Sequence, residues 1–135
     1  MVKFLSEEWI AIAKTVATEK LDPEQDLKNA TASLLSVITN VPPDGNTMYL
    51  YISVKHGNLS ELQVSHNDSL LQKDAEFVVS GNYDTFKQLF RGEMSTLIAL
   101  IKNRVHIKGD KKKALMFVNP IDRFTSCLRK IDTEY

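Results

Sequence analysis

The chain has 135 residues, 43% of them hydrophobic and 25% charged, with 17 basic residues balancing 17 acidic ones. That is enough for one domain, residues 1–135, with a real core, and it is not the composition of a disordered or nucleic-acid-coating chain. No run approaches the ~20 apolar residues of a membrane span, Met1–Ser6 has no basic region leading into an apolar one, and the single cysteine, Cys127, excludes an internal disulfide and suits a reducing cytoplasm.

Charge is unevenly spread: residues 1–101 carry a net −5 and residues 102–135 a net +5. Such an asymmetry either holds the two halves together within one fold or steers the domain to an anionic surface such as a membrane.

Ser6 is a fitting N-cap, followed by Glu7 and Glu8 where the helix dipole favours acids, with Leu5 and Ile10 placed as a hydrophobic staple. Trp9, Ile12, Ala13 and Val16 then recur at helical spacing and predict a helix to about Lys20. Asp22-Pro23-Glu24 reads as a second, short helix ending near Asn29. Ala32–Val41 is β-rich and stops at Pro42-Pro43-Asp44-Gly45. Thr47–Lys55 places Met48, Leu50, Ile52 and Val54 on one face and Tyr49 and Tyr51 on the other. His56-Gly57-Asn58 turns the chain into Leu59–Ser65, completing an antiparallel meander. A polar connection, Asn67–Asp74, leads to a fourth strand at Ala75–Ser80.

After Gly81 the period changes from 2 to 3.6. Phe86, Leu89 and Phe90 form one apolar stripe that Gly92 terminates. Met94, Leu97, Ile98 and Ile101 form the next, and with Ala99 and Leu100 that segment is apolar nearly all round, as expected of a helix wedged between core and ligand or fully buried. Arg104–Lys108 alternates as a strand with Val105 and Ile107 inward. Gly109-Asp110 opens a helical region that Asn119-Pro120 interrupts, with Asn119 expected to recap a last helix lined by Ile121, Phe124, Leu128 and Ile131. The order predicts an α+β fold: a mostly antiparallel sheet of about five strands with helices packed on one face.

This order, together with Val78-Val79-Ser80-Gly81, Tyr83-Asp84-Thr85-Phe86, Leu89-Phe90-Arg91-Gly92-Glu93 and above all Asn103-Arg104-Val105-His106-Ile107-Lys108-Gly109-Asp110, resembles the sterol carrier protein 2 sterol-binding domain family, in its free-standing prokaryotic form. The resemblance implies an apolar tunnel between the sheet and the C-terminal helices that takes a fatty acyl chain, acyl-CoA or a sterol-like molecule, with no catalytic residues and no cofactor. Arg104 and His106 depart from the more usual Lys and Lys/Glu-like positions. The C-terminal Asp132-Thr133-Glu134-Tyr135 lacks a Ser-Lys-Leu-type address, which argues against a peroxisomal setting.

With the resemblance in hand, the candidate ligand-binding residues are Phe86, Leu89, Phe90, Met94, Leu97, Ile98 and Ile101, joined by Met116, Phe117, Phe124 and Leu128 near the C-terminal helices. Taken alone, an apolar stripe at helical spacing is ordinary core. Lys102, Arg104, Lys108 and Lys111-Lys112-Lys113 are placed to meet an anionic headgroup or make transient contact with an anionic membrane surface, or else are simply solvated.

Enzymatic readings find no support. His56 and His66 belong at opposite ends of one hairpin strand, roughly 30 Å apart at ~3.3 Å per residue, and His106 faces outward among basic neighbours, so no metal set is expected. Cys127 has no adjacent activating motif, glycines are too scattered for a phosphate loop, and neither net charge nor aromatic pattern suggests nucleic acid. The apolar helical pair and the family resemblance together imply a cytoplasmic, non-enzymatic lipid-binding and lipid-transport domain. The alternative is a protein-interaction or regulatory domain that keeps the fold without a cavity and exposes an apolar patch around Tyr49 and Tyr51.

Overall fold

Two ten-residue strands, β2 (Ala32–Val41) and β3 (Asn46–Lys55), form the centre of the molecule. They belong to a five-stranded sheet in the order β4-β3-β2-β5-β6, where β4 is Asn58–Ser65, β5 is Phe77–Asn82 and β6 is Val105–Lys108. All 135 residues are described by the computed structural model. The sheet is mixed: β2 pairs with β3, β3 with β4 and β5 with β6 antiparallel, while β2 and β5 run parallel. The parallel pair follows from the path of the chain, because β3, β4 and a 3-10 turn at Asp68–Gln72 supply the crossover it requires.

Helices cover one face. The first, α1 (Glu7–Lys20), starts at Ser6, whose hydroxyl accepts from the Trp9 N–H at 3.1 Å, and it buries Trp9, Ile10, Ala13 and Ala17. Next comes α2 (Tyr83–Arg91), capped by Asn82, whose Oδ1 accepts from the Thr85 N–H at 2.9 Å. It ends at Gly92, where φ is +79°, a conformation a side chain would strain; the Glu93 N–H returns to Gln88 O at 2.8 Å. The short α3 (Thr96–Ile101) and α4 (Lys111–Met116) start at Ser95 and Asp110. Asp110 accepts from the Lys112 and Lys113 N–H groups, offsetting three lysines at a positive helix end. Finally, α5 (Val118–Leu128) packs against α1, α2 and α3.

Several local expectations are corrected. Residues 23–29 form successive turns rather than a helix: Asp22 does cap the Glu24 and Gln25 N–H groups, but Lys28 and Asn29 turn to positive φ and end the coil at once. Gly57 of the β3–β4 hairpin abuts this turn so closely that a Cβ there would clash with the Pro23 backbone. The helical break falls at Phe117 and not at Asn119, since Pro120 sits in the first turn of α5, where no backbone donor is missed. The chain ends also pair: β1 (Val2–Lys3) and β7 (Thr133–Glu134) form a two-stranded parallel sheet. Trp9 Nε1 donates to Thr133 Oγ1 at 3.1 Å, and Phe4 stacks among Trp9, Tyr83, Phe90 and Tyr135.

The opposite face of the sheet is not an open aromatic patch. Tyr51 is buried with Leu35 and Leu70, because the 3-10 turn folds across it, and Lys73 lies 5.2 Å from its ring centre. Tyr49 is half-buried at the edge of that cluster.

A candidate ligand cavity between sheet and helices

The layer between sheet and helices is packed unevenly. Towards the Trp9 end it is solid: Ile38 is 0% exposed and its cross-strand partner Met48 4%. Towards the other end of the same strands, Leu34, Ile52 and Val54 remain only half-buried although they face the helices. A cavity of about 120 Å³ accounts for the difference.

Its floor is the sheet. Ala32, Leu34 and Ser36 contribute from β2, Leu50, Ile52 and Val54 from β3, Phe77 and Val79 from β5, and Val105 and Ile107 from β6. Strand alternation puts every one of these on the helix side. The roof is Phe86, Leu89 and Phe90 of α2, Thr96 of α3 and the inner face of α5, namely Pro120, Ile121, Phe124 and Thr125. Phe117, at the α4–α5 junction, and Leu27 and Ala30, from the 22–29 turn, complete the wall. Phe117 also stacks edge-on against Phe77 at 5.8 Å.

Of the expected wall residues, Phe86, Leu89, Phe90, Phe117 and Phe124 line the cavity; the others do not. Leu97, Ile98 and Ile101 are 43%, 41% and 65% exposed, and Met116 is 74% exposed. The cause is the rotation of α3. Asp122 Oδ1 accepts from both the Thr96 N–H, at 3.0 Å, and its hydroxyl, at 2.7 Å, and Ala99 is 0% exposed. The small residues of α3 therefore face inward and its large apolar ones outward, the reverse of what hydrophobicity alone implies. Met94 borders a separate polar cleft, and Leu128 is part of the solid core.

Sequence reasoning missed the floor. The alternation of Leu50, Ile52 and Val54 was the available signal, but it is identical for a solid core and a hollow one.

The polar cleft, about 480 Å³, lies on the outer side of α5 and carries both signs of charge: Asp26, Lys28, Asp122, Arg123 and Arg129. Arg129 Nε donates to Phe90 O at 2.9 Å and so satisfies the end of α2. No cation lines the apolar cavity. Among the basic residues expected near a headgroup, Arg104 donates to Gln88 Oε1 at 3.2 Å and Lys113 pairs with Glu76, while Lys102, Lys108, Lys111 and Lys112 are exposed.

Burial, the largest cause, pushes the Cys127 thiol pKa up; Lys130 and Lys20 act the other way and Asp26 adds to the rise, so the thiolate is disfavoured. Burial also raises Tyr83, helped by Asp84 and Tyr135. No three His, Cys, Asp or Glu side chains converge as metal ligands, and no helix is long and apolar enough to cross a membrane.

A family model described as the SCP-2 sterol transfer family matches residues 13–122. No curated protein matches the chain. Among solved structures, a conserved hypothetical protein of Thermus thermophilus, described in connection with sterol carrier protein, is 14% identical with a TM-score of 0.79, over 99% of this chain and 93% of that one. A structure of sterol carrier protein 2 is 16% identical with a TM-score of 0.75, over 96% and 99% of the two chains. A palmitated sterol carrier protein 2-like protein of Aedes aegypti is 13% identical with a TM-score of 0.58, over 86% and 94%. At these identities the structural likeness establishes the α+β fold.

Proposed function

The chain belongs to the SCP-2 sterol transfer family, whose general role is the binding or transfer of sterols and other lipids, and from that premise we propose that residues 1–135 form one cytoplasmic, non-enzymatic domain that takes a lipid into the cavity between sheet and helices. The ligands are fatty acyl chains, acyl-CoA or sterol-like molecules. One observation carries the reading: the helix-facing residues Leu34, Ile52 and Val54 are left half-buried around an apolar void, while Ile38 and Met48 on the same face are fully packed. The palmitated state of the Aedes aegypti neighbour supports an acyl occupant.

The driving force is burial. Each methylene taken from water contributes about 0.8 kcal/mol, so burial supplies most of the affinity for an acyl chain, and length and shape limit what fits. A void of about 120 Å³ is close to the size of an engineered cavity that holds one benzene ring. A long chain therefore enters by widening this void into a tunnel. We place that movement at the α4–α5 junction, where Phe117 lines the wall and the helix start has no side-chain cap. The exposed Leu97, Ile98 and Ile101, with Lys102 beside them, support transient contact with an anionic membrane during loading.

Titration of the purified protein with a fluorescent fatty acid tests the reading. Saturable, roughly stoichiometric uptake supports it. An absence of uptake by acyl and sterol probes alike overturns it.

A further inference from the structure

We propose that Ser36 is the polar anchor of the cavity and that the ligand carries a neutral hydrogen-bonding oxygen on the part of its body that is inserted, away from any charged headgroup. The inference rests on the lipid-binding reading and adds a chemical class to it. Ser36 is 3% exposed, stands on the central strand between Leu50 of β3 and Val79 of β5, and lines the cavity together with both.

Three hydroxyl-bearing residues line this wall, and two are already engaged. Thr96 Oγ1 donates to Asp122 Oδ1 at 2.7 Å, and Thr125 Oγ1 donates to Asp122 O at 3.1 Å. The Ser36 hydroxyl makes no hydrogen bond within the chain. Thr85 Oγ1, unlike Ser36 Oγ, is fully enclosed without a partner, and Thr85 does not line the cavity.

A hydroxyl whose open side is an apolar cavity lacks the partners bulk water would give it, and alanine would fill nearly the same volume without that cost. A group on the ligand is the partner that offsets it. The hydroxyl both donates and accepts, so a ligand hydroxyl, ketone or ester carbonyl serves. A carboxylate does not, because no cation lines the cavity to compensate a buried charge. Ser36 stands one step along its strand face from Ile38, which is fully buried. The oxygen therefore reaches the end of the cavity that abuts the solid core. Either a hydroxyacyl chain or a sterol inserted hydroxyl-first meets that requirement.

The test is displacement of a fluorescent fatty acid from wild type and Ser36→Ala by matched pairs: octadecanoic acid against its positional series of monohydroxy derivatives, and cholesterol against 5-cholestene. The expected result is that at least one oxygenated probe binds wild type about tenfold more tightly than its hydrocarbon partner. Ser36→Ala should bring that pair within about twofold while octadecanoic acid binds both proteins equally, which also shows that the variant is folded. Preference confined to one arm identifies the source as acyl or sterol. Equal binding within every pair, or a preference that survives in Ser36→Ala, overturns the anchor while leaving lipid binding standing. Failure of every probe to displace the fluorophore, with no uptake of the fluorophore itself, overturns both.

Discussion

Leu34 and Ile38 stand four residues apart on the same face of β2, yet Ile38 is completely buried and Leu34 is only half-buried at the edge of a void. The two halves of one sheet face are thus built for different purposes. Leu34→Phe adds volume to empty space, so it should lower stability by less than about 1 kcal/mol while cutting fatty-acid uptake tenfold or more. Ile38→Ala removes packed atoms and should cost about 2–5 kcal/mol with little change in uptake by the folded fraction. Urea denaturation beside ligand titration separates the two effects.

The outward rotation of α3 makes an opposite pair of expectations. Ile98→Trp should leave uptake from free solution unchanged within about twofold, because its side chain is exposed and off the wall. Asp122→Ala strips the Thr96 N–H and hydroxyl of their shared acceptor and should cost about 1–3 kcal/mol in thermal or urea unfolding.

Most of the fold was legible in the sequence because its signals are local. Ser6, Asn82 and Gly92 mark helix ends through their own side-chain or backbone chemistry, and the β2, β3 and β4 boundaries follow from alternation and turn residues. The terminal β1–β7 pairing was not legible: two residues from each end carry no period, and the contacts that join them, Trp9 with Thr133 and Phe4 with Tyr135, span nearly the whole chain. Nor was the facing of α3, since a helix apolar nearly all round has no moment to orient it and the decisive partner, Asp122, lies 26 residues away. The cavity floor shows in the sequence as an inward face but not as a wall. Whether an inward face is filled depends on what stands opposite, and no strand records that.

The chain ends should contribute to stability out of proportion to their length. Deleting residues 132–135 removes the β1–β7 pairing, the Tyr135 ring beside Phe4 and the acceptor of Trp9 Nε1. The expected outcome is a loss of a few kcal/mol and a red shift of Trp9 fluorescence, reporting entry of water into the aromatic cluster.

Alkaline pH should weaken the fold. Cys127 and Tyr83 both hold their protons more tightly when folded, chiefly because burial disfavours their anions. The folded chain therefore binds more protons than the unfolded one once pH exceeds the ordinary thiol value of 9.0 and then the phenol value of 10.0. Stability is fully present below that window and falls as pH rises through it. Urea midpoints measured from pH 7 to 11 should decline, and Tyr83→Phe should flatten the upper part of the decline. Cys127 should also react slowly with a thiol reagent at pH 8 and rapidly once the protein is unfolded.

The most direct measurement is native mass spectrometry of wild type and Leu34→Phe purified side by side and then mixed with octadecanoic acid. The predicted result is a discrete lipid adduct on wild type, either co-purified or formed on addition, that is strongly reduced on an equally folded Leu34→Phe. A bare protein mass for wild type before and after lipid, or an adduct undiminished by filling the void, would contradict a lipid-binding cavity between sheet and helices.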